Sequence, residues 1–329
     1  MHVEIFCTLL GDTIMDITTL LTSITIMAVI IGIGALIGLR LPLTGDSRQL
    51  MIMMIVNVAM PCIILDGIFQ LPIDRQLMLQ IFTIFGVAVL VTCLGILMGW
   101  LGARLFRVES SRARQVAILA GCGNTGFIGL PLCAALFGPK GALLAAVFDA
   151  GLDFTLWTVC VMMLQDKQKF SFSGLKALLN IPMAAIAGGL LIAALGVEPP
   201  ALMKQLTGIL AKLASPLAMM YIGMLIPVLL KNRRDVPVRL LGLPITFKLL
   251  LFPLSVAGLL YVAPMEQELS RIVLIQTAMP TIAMASILFA RYAADEEMGA
   301  MTTVFSTLIA LATIPAVVMM GNMLLQQAP

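Results

Sequence analysis

Histidine is nearly absent from this chain of 329 residues: His2 is the single one and lies next to the start. That excludes a histidine-based catalytic centre or metal site. Charge is scarce at 11% of residues, and aromatics make up only 6%. The six cysteines (Cys7, Cys62, Cys93, Cys122, Cys133, Cys160) lack Cys-x-x-Cys spacing and lie in or near apolar runs. Neither a disulfide framework nor a zinc site follows, and packing as small apolar side chains is their expected role. The basic residues form short clusters without interleaved aromatics, so nucleic acid is not an expected partner. The first sixteen residues, MHVEIFCTLLGDTIMD, carry acidic groups and no Lys or Arg, unlike a cleaved signal peptide.

What the chain has in excess is apolar sequence: 60% of its residues are hydrophobic, and its mean hydropathy is +1.07. Runs long enough to span about 30 Å at 1.5 Å per residue recur. They cover 20–39, 50–69, 77–103, 115–137, 141–164, 177–195, 205–230, 240–262, 272–290 and 298–325. The expected fold is an all-α integral membrane protein with ten transmembrane helices. A β-barrel would alternate polar and apolar residues in shorter segments, a pattern missing here.

Basic residues orient those helices. Arg40, Arg48, Arg104, Arg107, Arg112, Arg114, Lys167, Lys169, Lys176, Lys231, Arg233, Arg234, Arg239 and Arg291 fall in loops on one side. Only Arg75, Lys140, Lys204 and Arg271 fall on the other. The positive-inside bias places both termini outside the cytoplasm. The domain reading is an extracytoplasmic lead-in (1–19), a first five-helix repeat (20–164), a cytoplasmic linker (165–176) and a second repeat (177–325).

The two repeats superimpose in spacing more than in identity. Pro61 in NVAMP falls on Pro216 in KLASP, and Gly121–Pro131 (GCGNTGFIGLP) falls on Gln276–Ser286 (QTAMPTIAMAS). Five helices per half is an odd number, so the second copy enters the membrane from the opposite side, the inverted architecture of many secondary transporters. Glycines in a helix cost about 1 kcal/mol each relative to alanine, and a proline removes a hydrogen bond. Helices 4 and 9 are therefore expected to break, with further breaks or kinks at Pro61, Pro131, Pro216 and Pro280. Freed backbone in a bilayer must be buried in protein or line a cavity, so two breaks at one depth imply a binding site. Its candidate ligands are Asn57, Gly123, Asn124, Thr125, Gly126, Gln276, Thr277, Pro280 and Thr281. Simple close packing of glycines is the alternative account of these segments.

Five ionisable residues lie within the runs: Asp66, Asp149, Asp153, Lys212 and Lys248. At a helix centre each would cost roughly 2.5–3.5 kcal/mol, which makes them candidates for function. Asp66 is close to a helix end, and Lys212 can extend its stem outward. Lys248 lies deeper and is expected to pair with a carboxylate or an anionic substrate. Asp149 and Asp153 share a helix face with Trp157, so a shared proton or ion there is chemically reasonable. The repeat-equivalent helix offers Thr303, Ser306 and Thr307. Asp149, Asp153, Lys248 and Ser306 are the candidate coupling residues. An intramembrane aspartyl protease would need a Gly-x-Gly-Asp pattern that is not found, so an enzyme is not expected.

The stretches GNTGFIGLPLCAALFGPKGALLAAVFDAG and QTAMPTIAMASILFARYAADEEMGAMTTVFSTLIALATIP resemble the auxin efflux carrier family, especially bacterial members described as malonate or malate permeases. The resemblance spans nearly the whole chain. It implies a fold similar to sodium/proton antiporters and bile-acid symporters, with crossed, broken fourth and ninth helices, and a home in a bacterial inner membrane. Plant members have a proline where this chain has Gly123, and their long loop between helices five and six is missing here. A small mono- or dicarboxylate is thus expected in place of auxin. Coupling to H+ or Na+ needs no cofactor, and the expected partners are the anion, the bilayer and a second copy in a homodimer. Helix N-termini at the breaks favour an anion. A cation/proton antiporter using Asp149 and Asp153, and a passive channel, stand as alternatives.

Overall fold

The computed structural model describes residues 2–41, 43–72, 74–165, 180–231, 237–292 and 294–325. The expected linker, 165–176, lies outside them apart from Gln165. Among the described residues the backbone is helical, with one isolated bridge in place of any strand. In chain order the helices are α1 (His2–Arg40), α2 (Gly45–Met54), α3 (Met60–Phe69), α4 (Arg75–Leu105), α5 (Ser110–Gly121), α6 (Leu130–Thr155) and α7 (Val161–Leu164). They continue as α8 (Ile181–Ala194), α9 (Ala201–Lys231), α10 (Val238–Thr246), α11 (Phe252–Val262), α12 (Gln267–Thr277), α13 (Ala285–Arg291) and α14 (Glu296–Leu325). The residues read as a lead-in are helical from His2 onward.

Proline sets several local shapes. A π turn, Ile55–Ala59, joins α2 to α3 two residues ahead of Pro61. Proline has no N–H, and its ring clashes with the carbonyl four residues back. The helix widens in response, and the Met60 N–H bonds Ile55 O five residues back. The same device precedes Pro131, in Thr125–Gly129, and Pro253, in Phe247–Leu251. Pro216 behaves differently from the expectation of a break, because α9 continues through both it and Pro227. Neighbouring helices in a bundle can absorb such prolines without interruption.

Seven helical stretches among the described residues are long and apolar enough to cross a membrane. They are Leu21–Arg40, Gly45–Phe69, Arg75–Leu105, Thr125–Leu164, Ala201–Val228, Arg239–Val262 and Glu296–Leu325. Local features separate this set from the ten apolar runs. Thr125–Leu164 joins two of the runs and turns at Gly138, whose φ of 64° and ψ of −150° suit glycine, ahead of Pro139. Ile181–Ala194 has only 14 residues, and the beginning of its run lies outside the described residues. The runs 115–137 and 272–290 are interrupted, at 122–124 and 278–284.

Two groups of helices pack against each other. In one, α1 lies along α9, with α3 and α8 alongside. Small residues let these backbones approach: a Cβ on Gly38 would lie 2.9 Å from Met224 Cα. The other joins α4, α5 and α6 to α10–α14. Both interrupted helices belong to this second group.

Candidate functional site

The interruption after α5 begins with Cys122 in an extended conformation and ends at Asn124, whose φ and ψ are −84° and 61°. It meets the interruption after α12 through an antiparallel bridge between Gly123 and Thr281. The Asn124 N–H donates to Pro280 O at 2.7 Å, and the Ile282 N–H donates to Cys122 O at 3.1 Å. Each stretch thus satisfies part of the other's backbone, as a low-dielectric interior requires.

Side chains from two further segments, the π turn Phe247–Leu251 and α14, complete the contact. Lys248, 1% exposed, donates to Thr277 O at 3.0 Å, with its ammonium 4.6 Å from the centre of the Phe252 ring. A Cβ on Gly123 would sit 3.0 Å from that ammonium, so glycine is what admits the lysine. Among the described residues the lysine's hydrogen-bond partner is thus a backbone carbonyl, and no carboxylate pairs with it. The interruption itself created that acceptor. Ser306 Oγ accepts from the Thr281 N–H at 3.1 Å, Thr303 donates to Ile282 O at 3.0 Å, and Thr281 donates to Leu119 O at 3.0 Å.

Asn124 stands apart from this network. The residue is 2% exposed, yet its side-chain Nδ2 has no hydrogen-bond partner among the described residues. It also forms wall shared by two cavities. One is lined by Arg48, Asn124, Ser286, Glu296, Thr303 and Thr307 among others. The other is lined by Asn124, Thr125, Asp149, Asp153, Trp157 and Asn180 among others. Thr125 donates its hydroxyl proton to Asp149. Asn180 caps α8 by accepting from the Met183 N–H at 2.9 Å. A Cβ on Gly126 would come within 2.7 Å of Asp149 Oδ2, so this glycine too permits a close approach.

The structure gathers Gly123, Asn124, Thr125 and Gly126 with Asp149 and Asp153 around one cavity. Thr277, Pro280 and Thr281 sit behind them, buried and bonded, and line neither cavity. Gln276 turns elsewhere: its Nε2 donates to Ala145 O at 3.3 Å, while Oε1 lies unpartnered against Gly129. Asn57 is exposed on its π turn and joins none of this. Asp66 lies half-buried beside Gly208, and Lys212 is exposed. Arg48, read from the sequence only as a topology signal, lines a cavity. Its anchor, the Tyr221 hydroxyl at 3.3 Å from Nε, is 173 positions away and leaves no local trace.

A family model described as membrane transport protein matches residues 17–318, taking in both interruptions and every cavity-lining residue named above. A protein of Methanothermobacter thermautotrophicus described as an uncharacterized transporter is 22% identical over 263 residues, covering 79% of this chain and 85% of its own length. With a match of that extent, the chain belongs to the membrane transport protein family of auxin efflux carriers.

Proposed function

We propose that this multi-pass protein is a secondary active transporter of a small organic anion, such as a mono- or dicarboxylate. It crosses an inner (plasma) membrane ten times as two inverted five-helix halves, with both termini outside the cytoplasm. In this reading α5 with the start of α6, and α12 with α13, are the fourth and ninth crossings. Their interruptions form the substrate site, and one helix group moves against the other so that Asn124 faces each side in turn.

One observation carries the reading: an unpartnered, buried amide donor sits at the contact of the two interruptions and borders both cavities. Irregular backbone at membrane depth is tolerated where it is enclosed by protein or lines a cavity. The helix that begins just past Asn124 adds N–H groups without intrahelical acceptors, which favour an anion. Reconstituted into liposomes, the protein should take up one or more of acetate, lactate, malonate and succinate with saturable, counter-substrate-stimulated flux. Single-channel currents in place of saturation would make it a pore, and no carboxylate flux under sodium or proton gradients would remove the anion.

A cation/proton antiporter is the second reading, favoured by the two carboxylates in a cavity that no described Lys or Arg lines. If Asp149 and Asp153 couple an ion to the anion, Asp149→Asn should weaken gradient-driven uptake more than equilibrium exchange. Cation flux independent of any carboxylate, lost in Asp149→Asn, would favour antiport instead.

A further inference from the structure

The cavities differ in charge although they share a wall at Asn124. Asp149 and Asp153 line one, with no Lys or Arg among the described residues. The other holds Arg48. Arg48 is half-buried, and its Nε donates to the hydroxyl of Tyr221, a residue 3% exposed. Tyr221 in turn packs against Phe127, ring centres 6.0 Å apart, on the π turn that follows Asn124. One nitrogen is thereby tethered, and among the described residues the outer fork of the guanidinium keeps its donors. That planar fork matches a carboxylate. Glu296 borders the same cavity from the first turn of α14, and among the described residues it makes no ion pair with Arg48. Thr303 and Thr307 direct their hydroxyl protons to backbone carbonyls, at 3.0 Å and 2.7 Å. Thr44 also lines this cavity, with its hydroxyl 3.0 Å from that of Ser47 in the cap of α2, so Arg48 and Ser286 are the lining side chains, besides Asn124, whose donors are left for an incoming anion among the described residues.

We propose that the two cavities are separate approaches to Asn124, that the organic anion travels the one lined by Arg48, and that Arg48 is the residue selecting carboxylates on that route. The proposal rests on the anion-carrier reading above. Among the described residues, an anion in the other cavity would meet two carboxylates and no Lys or Arg, whereas in this one it meets an anchored guanidinium before the unpartnered amide. Thr307 lies eleven residues beyond Glu296 on α14, so the route runs about 16 Å from the charged end inward.

The test uses the full-length protein in proteoliposomes, with whichever of acetate, lactate, malonate and succinate it transports fastest as the probe. Arg48→Gln should raise KM for that carboxylate about tenfold, the loss expected for a hydrogen bond to a charged group, with little change in kcat. Arg48→Lys, which keeps charge without the fork, should recover part of the affinity. On a background without native cysteines, the probe should slow methanethiosulfonate modification of Ala300→Cys, in the Arg48 cavity, and leave Trp157→Cys, in the acidic one, unchanged. Protection of Trp157→Cys alone, or wild-type KM in both Arg48 variants, would overturn the route. The protection assay needs no Arg48 variant, so it decides even where those variants do not fold. If Asn124→Ala also binds normally, the anion site itself is refuted; if Asn124→Ala loses affinity while Arg48→Gln does not, only the route is.

Discussion

Three residues, 122–124, interrupt the helix after α5, whereas seven, 278–284, interrupt the helix after α12. The longer stretch is held from outside: Lys248, Thr303 and Ser306 each supply a hydrogen bond to its backbone or to its flank. The shorter one relies on its partner and on its own helix, in which Asn124 O accepts from the N–H groups of Ile128 and Gly129, both at 3.2 Å. No described side chain serves Asn124 Nδ2. The difference separates two tasks. The long stretch is an anchor whose bonds are internal, and the short stretch keeps one donor for a ligand. Substitutions at the first should therefore register in stability, and at the second in binding.

The largest effect should come from Gly121→Ala, at the entrance to the short stretch. Its Cβ would lie 2.5 Å from the backbone nitrogen of Ile96, which cannot rotate away. Overpacking of this kind costs about 3 kcal/mol at the upper end of its range, so the thermal midpoint in detergent should fall sharply. A stable variant would mean that the short stretch can shift as a unit and is less confined than the comparison holds. Next comes Ser306→Ala, which orphans the buried Thr281 N–H at a cost of about 1–3 kcal/mol. The folded fraction should bind carboxylate as tightly as wild type. If affinity falls while stability holds, the long stretch touches substrate and the division of tasks fails. Thr303→Val should cost least, about 0.5–1.5 kcal/mol, because one neutral hydrogen bond to Ile282 O is lost. A larger loss than for Ser306→Ala would reverse the order of the two supports.

The interruptions were legible because glycine and proline act on the backbone wherever they stand, and apolar length speaks for itself in a bilayer. Gly123 and Asn124 lie in one interruption and Pro280 in the other. Proline alone was less informative: Pro61, Pro131 and Pro253 follow π turns, while Pro216 sits in a helix that does not yield. Lys248 was legible as a deep charge, but its acceptor, Thr277 O, exists only because another helix ends there. Asn57 shows the limit in the other direction, since a polar residue four positions ahead of a proline carries no sign of which face it occupies, and it is exposed. Arg48 was hidden for a related reason. An arginine near a helix start reads as an orientation signal, and nothing within its own turn announces Tyr221 or the cavity.

The most direct measurement is carboxylate affinity in Asn124→Ala, taken beside Asn322→Ala. Asn322 also has an unpartnered amide atom, Oδ1, but it lines a different cavity with Arg271. Since Asn124 Nδ2 gives up no protein partner, Asn124→Ala should keep a thermal midpoint near wild type. Its affinity for the transported carboxylate should fall roughly ten- to hundredfold, the equivalent of about 1.5–3 kcal/mol for a hydrogen bond to a charged group. Asn322→Ala should bind as wild type does. A folded Asn124→Ala protein with wild-type affinity, measured by the same assay, would contradict the account.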